Sequence, residues 1–304
     1  MKNPQTTLKS VIDTICQKVS PEKIICFGST EKMEVSSSCF KDQDAETEFN
    51  PRNNYSLLVV PAKQERLTNT TIQKSAEQSV KGFANIAVIT HRMDEINLAI
   101  KKGSTFFSTL HKKGTILFDA KKEPFVIPAT MPIITSEALK REKFWFHWFN
   151  LSDEFLMGAH FYASERKNGL AIFMIHQTLC HCYSGMLRVL TGYHAGSNGL
   201  RRLSKITENI LPESNFILAR NTPAESRLTN LLMGGFDDSR YLNKVNATND
   251  DVTELITRAE KVLEFSDTVC LSHIQKIKDS ENNKSLESVE SRENINSNQR
   301  RICH

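Results

Sequence analysis

The sequence predicts an α+β protein in two units, an N-terminal α/β layer followed by an all-α antiparallel helical bundle. Three observations predict it. Short apolar runs alternate with helical periodicity over residues 1–120, a proline-spaced linker covers 121–135, and long helical repeats fill 136–276. At 304 residues the chain has room for about two ordinary domains of roughly 150 residues each.

Leu8, Ile12, Ile15, Cys16 and Val19 recur at helical spacing and predict a helix over 6–19. Lys23 to Phe27 is an apolar run that ends at Gly28-Ser29, a strand entering a turn. Ser36 to Asn54 carries little to bury and reads as a long loop. Leu57 to Val60 forms a second strand closed by Pro61, then come a helix over 66–80 and a third strand from Phe83 to Thr90. Helices over 93–101 and 104–112 lead to a fourth strand, Gly114 to Phe118. Pro124, Pro128 and Pro132 each exclude a central helix or strand position and mark the boundary.

Beyond the boundary, Ser136 reads as the N-cap of a helix running through Phe144, Trp145, Trp148, Phe149, Leu151, Phe155 and Leu156 to about Ser164. A second long helix over 168–191 is broken by Gly192 and Gly196. Further helices fit 199–211, 223–233 and 249–275, and long helices with short connections predict a bundle. From 277 to 304 the composition turns to Ser, Asn, Glu, Lys and Arg, which reads as a disordered tail.

Composition excludes several classes. Hydrophobic residues are 39% and charged residues 24%, enough for packed cores and against wholesale disorder. No apolar run approaches the roughly 18–20 residues of a membrane span, and the first residues lack a signal-peptide core. Seven cysteines, at 16, 26, 39, 180, 182, 270 and 303, are odd in number and follow no disulfide framework. A soluble, cytoplasmic protein without membrane contact is therefore expected. Net charge is +4, from 39 basic and 35 acidic residues, which permits a polyanionic partner without demanding one. Arg201, Arg202 and Lys205 cluster on one predicted helix as a candidate RNA-binding patch, with a solvated helix face as the alternative.

The order Ile24-Ile-Cys-Phe-Gly28-Ser29, then Asn54-Tyr-Ser56-Leu-Leu-Val-Val60, with Gly103-Ser-Thr-Phe-Phe107 and Gly114-Thr-Ile-Leu-Phe-Asp119 behind it, resembles the minimal nucleotidyltransferase fold over about residues 5–120. The resemblance implies a nucleotide or anion pocket at Gly28 and Ser29, where a Gly-Ser turn presents N–H groups to phosphate. Active members carry Asp-x-Asp at the head of the second strand to hold divalent ions against a triphosphate. Here those positions are Asn54 and Ser56, and the third strand carries no acid. Asp42-Gln-Asp44 has the spacing, but its flanking sequence is that of a loop. The expected unit is degenerate, without metal or cofactor.

Residues 137–275 resemble a HEPN domain, carried by Phe155 to Arg166, Ala171 to Leu190, the Gly192-Tyr-His junction with Asn198-Gly-Leu-Arg-Arg-Leu203, and Asp237-Asp-Ser-Arg-Tyr241. Many such domains are metal-independent ribonucleases built on Arg-x(4–6)-His, a spacing met by Arg188-Val-Leu-Thr-Gly-Tyr-His194. The resemblance implies that His194 moves a proton at a ribose hydroxyl or leaving oxygen while Arg188 holds the phosphate, in a homodimer through the helical unit. The residue after the arginine is polar in active members and is Val189 here. On the bland reading, Arg188 caps its own helix and His194 is a loop residue. The implied function is RNA or nucleotide binding, with metal-free RNA cleavage by this pair. The alternative is an inactive interaction or dimerisation scaffold.

His176-x-x-x-Cys180-His181-Cys182 places two ligand-type side chains on one helical face, but a structural zinc wants four. These residues read as core. The aromatic run Phe144 to Phe149 likewise reads as packing.

Overall fold

The computed structural model of the protein describes residues 4–30, 36–38, 54–128, 136–195, 199–211, 222–240 and 246–302. Asp42, Asp44, Asn198 and Tyr241 of the sequence motifs lie outside them.

In the first half α1 (Pro4–Lys18) leads into β1 (Pro21–Thr30), β2 (Ser36–Ser38) and β3 (Asn54–Pro61). Next come α2 (Asn69–Val80), β4 (Asn85–Thr90), α3 (Met93–Lys101), α4 (Thr105–Lys113) and β5 (Thr115–Asp119). The sheet order is β2-β1-β3-β4, with β5 also on β1. β1 is antiparallel to β3, and β3 is parallel to β4 with Val59 opposite Thr90. β1 serves two partners in succession: Lys23 to Cys26 pair with β5, and Gly28 to Thr30 with β2.

The central strands are covered on both faces, which is why Leu57 to Val60 reads as an unbroken apolar run. Ile24, Leu57, Val59, Ile86 and Val88 meet Val11, Ile15, Ile72 and Ala76 of α1 and α2. Ile25, Phe27, Leu58, Val60, Ala87 and Ile89 point the other way, toward Ile96, Phe106 and Leu110 of α3 and α4.

The second half is helical: α5 (Glu137–Ser164), α6 (Asn168–Thr191), α7 (Leu200–Ile210), α8 (Pro223–Arg240) and α9 (Asn249–Ile302). α5 and α6 approach closely at Gly185, where a Cβ would stand 2.8 Å from the Trp148 Cβ. Trp145 is fully buried, and its indole N–H donates to Asp267 Oδ1 of α9 at 2.7 Å. No helix among the described residues is long and apolar enough to cross a membrane.

The two halves share one apolar cluster, running from Phe27, Leu58 and Phe106 through Leu190, Leu203 and Ile206 to Ala259 and Ile274. α7 makes the junction, packing across β1, β3 and β4. The described part of the linker, 121–128, is irregular and tied back, with Lys122 and Glu123 N–H groups donating to the buried Glu22 Oε1.

The structure corrects the sequence expectation at the tail. α9 continues to Ile302, so the segment expected to be a disordered tail from 277 is helical to that point. Its first turns have anchors: Lys278 Nζ reaches Glu142 Oε1 at 2.7 Å, and Glu281 accepts from the Ser136 hydroxyl at 2.6 Å and the Glu137 N–H at 2.7 Å. A carboxylate at the N-terminus of α5 meets its unpaired N–H groups and favourable dipole end, which helps offset the ordering entropy of that turn. Composition alone hides these partners. β2, inside the expected long loop, and the longer α8 are the other differences.

Candidate functional site

At the carboxyl end of the parallel pair β3–β4 the two halves enclose a cleft of about 710 Å³. One wall comes from the α/β layer: Asn69 at the start of α2, His91 after β4, Glu95 of α3, and Lys102 to Thr105 at the start of α4. The other comes from Glu137, Lys140, Arg141 and Phe144 of α5, and from Arg188, Gly192, Tyr193 and His194 at the end of α6.

α6 ends where the sequence expects it, at Gly192 in the left-handed region with φ +79°, and the Gly192 N–H donates to Arg188 C=O. Arg188 Nη1 donates to Gly192 C=O at 2.9 Å, and its guanidinium lies over the Phe144 ring, 4.6 Å from the centroid. Burial lowers its pKa from the ordinary value, with Glu137 opposing. Arg188 thus caps its own helix and lines the cleft at once. His194, two residues past the cap, is exposed and lines the same cleft.

The loop between them is held by the α/β layer. His91 Nε2 and the Tyr193 hydroxyl are 3.2 Å apart, and His91 Nδ1 stands 3.6 Å from Glu95 Oε2. Burial depresses the His91 pKa and the Glu95 carboxylate raises it, so burial wins and the neutral ring is favoured. Phe107 and Tyr193 meet the imidazole edge-on, at 5.2 and 5.9 Å between ring centres. The contact between His91 and Tyr193 escaped the sequence reading, which holds no signal that pairs residues 102 positions apart.

The other sequence-predicted residues are placed elsewhere. Gly28 and Ser29 lie within β1, paired with β2 on one side and β3 on the other, and not at a turn into a helix. Their place in two ladders is the correction to the expected anion-binding turn, because the N–H groups belong to the sheet. Gly28 instead admits α7: a Cβ there would stand 3.4 Å from the Asn209 Cβ. The Asn209 amide donates to the buried Ser56 hydroxyl at 2.6 Å, and Asn85 Nδ2 donates to Asn54 Oδ1 at 2.6 Å. The strand head where the resemblance expects carboxylates thus carries amide and hydroxyl groups without an acid, joined to α7 through Asn209 and Lys205.

Arg202 and Lys205 face the same way. Arg202 makes a bidentate pair with Glu77 of α2, at 2.9 and 3.0 Å, and the Lys205 ammonium donates to Asn85 Oδ1. They join α7 to the α/β layer and do not line the cleft, whereas Arg201 is exposed. Arg188 and His194 converge; the Arg201–Arg202–Lys205 patch does not join them.

One turn on, Glu208 is raised by burial to about 7, with Lys205 pulling it down. Folding therefore binds a proton between the ordinary value of 4.5 and about 7, and stability falls as pH rises through that window. Glu208→Gln is expected to leave stability nearly unchanged near pH 4 and to raise it by about 3 kcal/mol near pH 8. Thermal unfolding at the two pH values checks this, and equal shifts at both would contradict it.

The His176–Cys182 stretch diverges. Cys182 donates to Ser266 Oγ at 3.0 Å in the core, while His181 stacks between Trp148 and Phe155. Burial pushes the Cys180 and Cys182 thiols up to about 12. Among the described residues no three His, Cys, Asp or Glu side chains converge as metal ligands.

Residues 146–269, from α5 through α8 into α9, match the HEPN domain family. No curated protein sequence matches the chain.

Proposed function

We propose that the protein binds RNA or nucleotides through the Arg188–His194 cleft and cleaves RNA there without a metal ion. The observation that carries this is the placement of both side chains in one cleft at the end of α6, within the segment that matches the HEPN domain. HEPN domains often act with RNA and often dimerise. The Arg188 guanidinium, fixed by Gly192 C=O and the Phe144 ring, is a pre-set phosphate holder. His194 is the acid–base group, taking the ribose 2′-OH proton or returning one to the leaving 5′ oxygen. The α/β layer is read as a degenerate nucleotidyltransferase fold. Its mixed β1-β3-β4 sheet, the α2 crossover and the uncharged strand head at Asn54 and Ser56 support that reading.

Purified protein is expected to cleave single-stranded RNA in excess EDTA, and His194→Ala to lower the rate by at least about 100-fold. Because His194 is exposed, that substitution leaves the fold intact. Unchanged cleavage in the variant, or strict dependence on added metal, would overturn the assignment.

A second reading, an inactive dimerisation scaffold, is favoured by α5. Leu139, Phe146, Met157 and Phe161 are exposed on one face of that helix, with Met157 62% and Phe161 60% accessible. RNA binding without turnover in a stable dimer would select it.

A further inference from the structure

The Arg188–His194 cleft has a wall that the helical unit does not supply. Lys102 and the start of α4 line it together with Lys140, Phe144 and Arg188. Its two acids are Glu95, beside His91 Nδ1 at 3.6 Å, and Glu137, which accepts from Arg141 Nε at 3.0 Å. Lys102 and Lys140 are exposed and form no ion pair among the described residues. Arg188 spends one N–H on a neutral carbonyl and shares the field of Glu137 with Arg141. Four cations, Lys102, Lys140, Arg141 and Arg188, thus line one space against two acids, an excess of positive charge drawn from both halves of the chain.

Two further features fit the same ligand. The Phe144 ring, 38% accessible with Arg188 over it, offers a flat apolar and cationic surface of the kind on which a base stacks. Asn69 Oδ1 is buried at the cleft without a hydrogen-bond partner, an acceptor suited to an amino or hydroxyl donor. A volume of about 710 Å³ suits one or two nucleotides and leaves no room for a duplex.

We infer that the α/β layer supplies half of the ligand site: Lys102, together with Lys140, holds the successive phosphates of a single-stranded nucleotide ligand beside Arg188. This rests on the proposed Arg188–His194 site and adds the strand state of its ligand and the residues that grip it. The layer is then a guide that excludes paired RNA, although its own strand head is joined to α7.

The test titrates the intact protein in EDTA with three probes: a labelled single-stranded oligoribonucleotide of about five residues, the same sequence as a duplex, and ADP. Lys102→Ala and Lys140→Ala are each expected to weaken single-strand binding by about three- to tenfold. Each is also expected to lower the slope of log K against log salt by about 0.7, one phosphate contact on a single strand. Lys63→Ala, an exposed lysine outside the cleft, serves as the neutral control. Preference for the oligomer assigns the phosphates to an RNA strand and preference for ADP to a free nucleotide; either supports the inference. Duplex binding as tight as single-strand binding would overturn it. So would unchanged affinity and slope in both lysine variants while Arg188→Lys weakens binding, an outcome that leaves the proposed function standing. No binding of any probe by the unaltered protein removes both.

Discussion

Gly192→Ala is expected to destabilise the protein by about 2–4 kcal/mol and to blunt the cleft in the same stroke. Two separate effects add. At φ +79° an alanine Cβ strains the backbone by about 1 kcal/mol. The added Cβ would also overlap Thr105 Oγ1 and stand 3.3 Å from Thr105 Cβ and 3.4 Å from the Phe106 N. The hydroxyl can rotate away, but the Cβ and the backbone nitrogen cannot, so the end of α6 must move off α4. Arg188 is tied to the Gly192 carbonyl, and Tyr193 and His194 follow directly, so the displacement reaches every α6 residue at the site. Thermal unfolding should show a midpoint lower by roughly 5–10 °C. Pairing the change with Thr105→Gly, which removes the Cβ as well as the hydroxyl, should restore most of the steric part and leave the backbone part. Full restoration by the pair, or a loss below about 0.5 kcal/mol in the single variant, would contradict the account.

The second large effect is expected at Trp145. Its side chain is fully buried between α5, α6 and α9, with Phe149 5.5 Å away between ring centres and its N–H on Asp267 Oδ1. Trp145→Ala removes the ring and leaves a cavity, an expected loss of about 3–5 kcal/mol. Trp145→Phe keeps most of the volume but deprives the Asp267 carboxylate of its donor, with an expected loss of about 1–2 kcal/mol. Denaturant unfolding of the two variants separates packing from the hydrogen bond. Equal losses would mean that the polar contact dominates, contrary to this prediction.

The element order was legible because each run carries its own local signal. Leu8 to Val19 repeats at helical spacing, Leu57 to Val60 is a doubly covered strand, and Gly192 ends α6 with the residue a left-handed cap requires. What was not legible depends on partners far away in sequence. Arg202 and Lys205 look the same whether they face solvent or Glu77 and Asn85, which lie 125 and 120 positions earlier. Gly28 invites a turn reading, although a glycine inside a strand is also the signal for close approach by another element, here Asn209. Arg188 and His194, which line one cleft, can be paired by spacing because their helix and cap are local. The wall built by His91, Lys102 and Thr105 cannot be read that way, because it depends on how α4 meets the end of α6.

The clasp between Glu281 and the first turn of α5 has a consequence for synthesis on the ribosome. Ser136 and Glu137 emerge 145 and 144 residues before the carboxylate that secures them. Glu137 and Lys140 border the cleft, so its rim stays unfastened during translation until nearly all of the helical unit has been made. Any binding that needs a firm rim is thereby postponed until α9 has been made as far as Glu281.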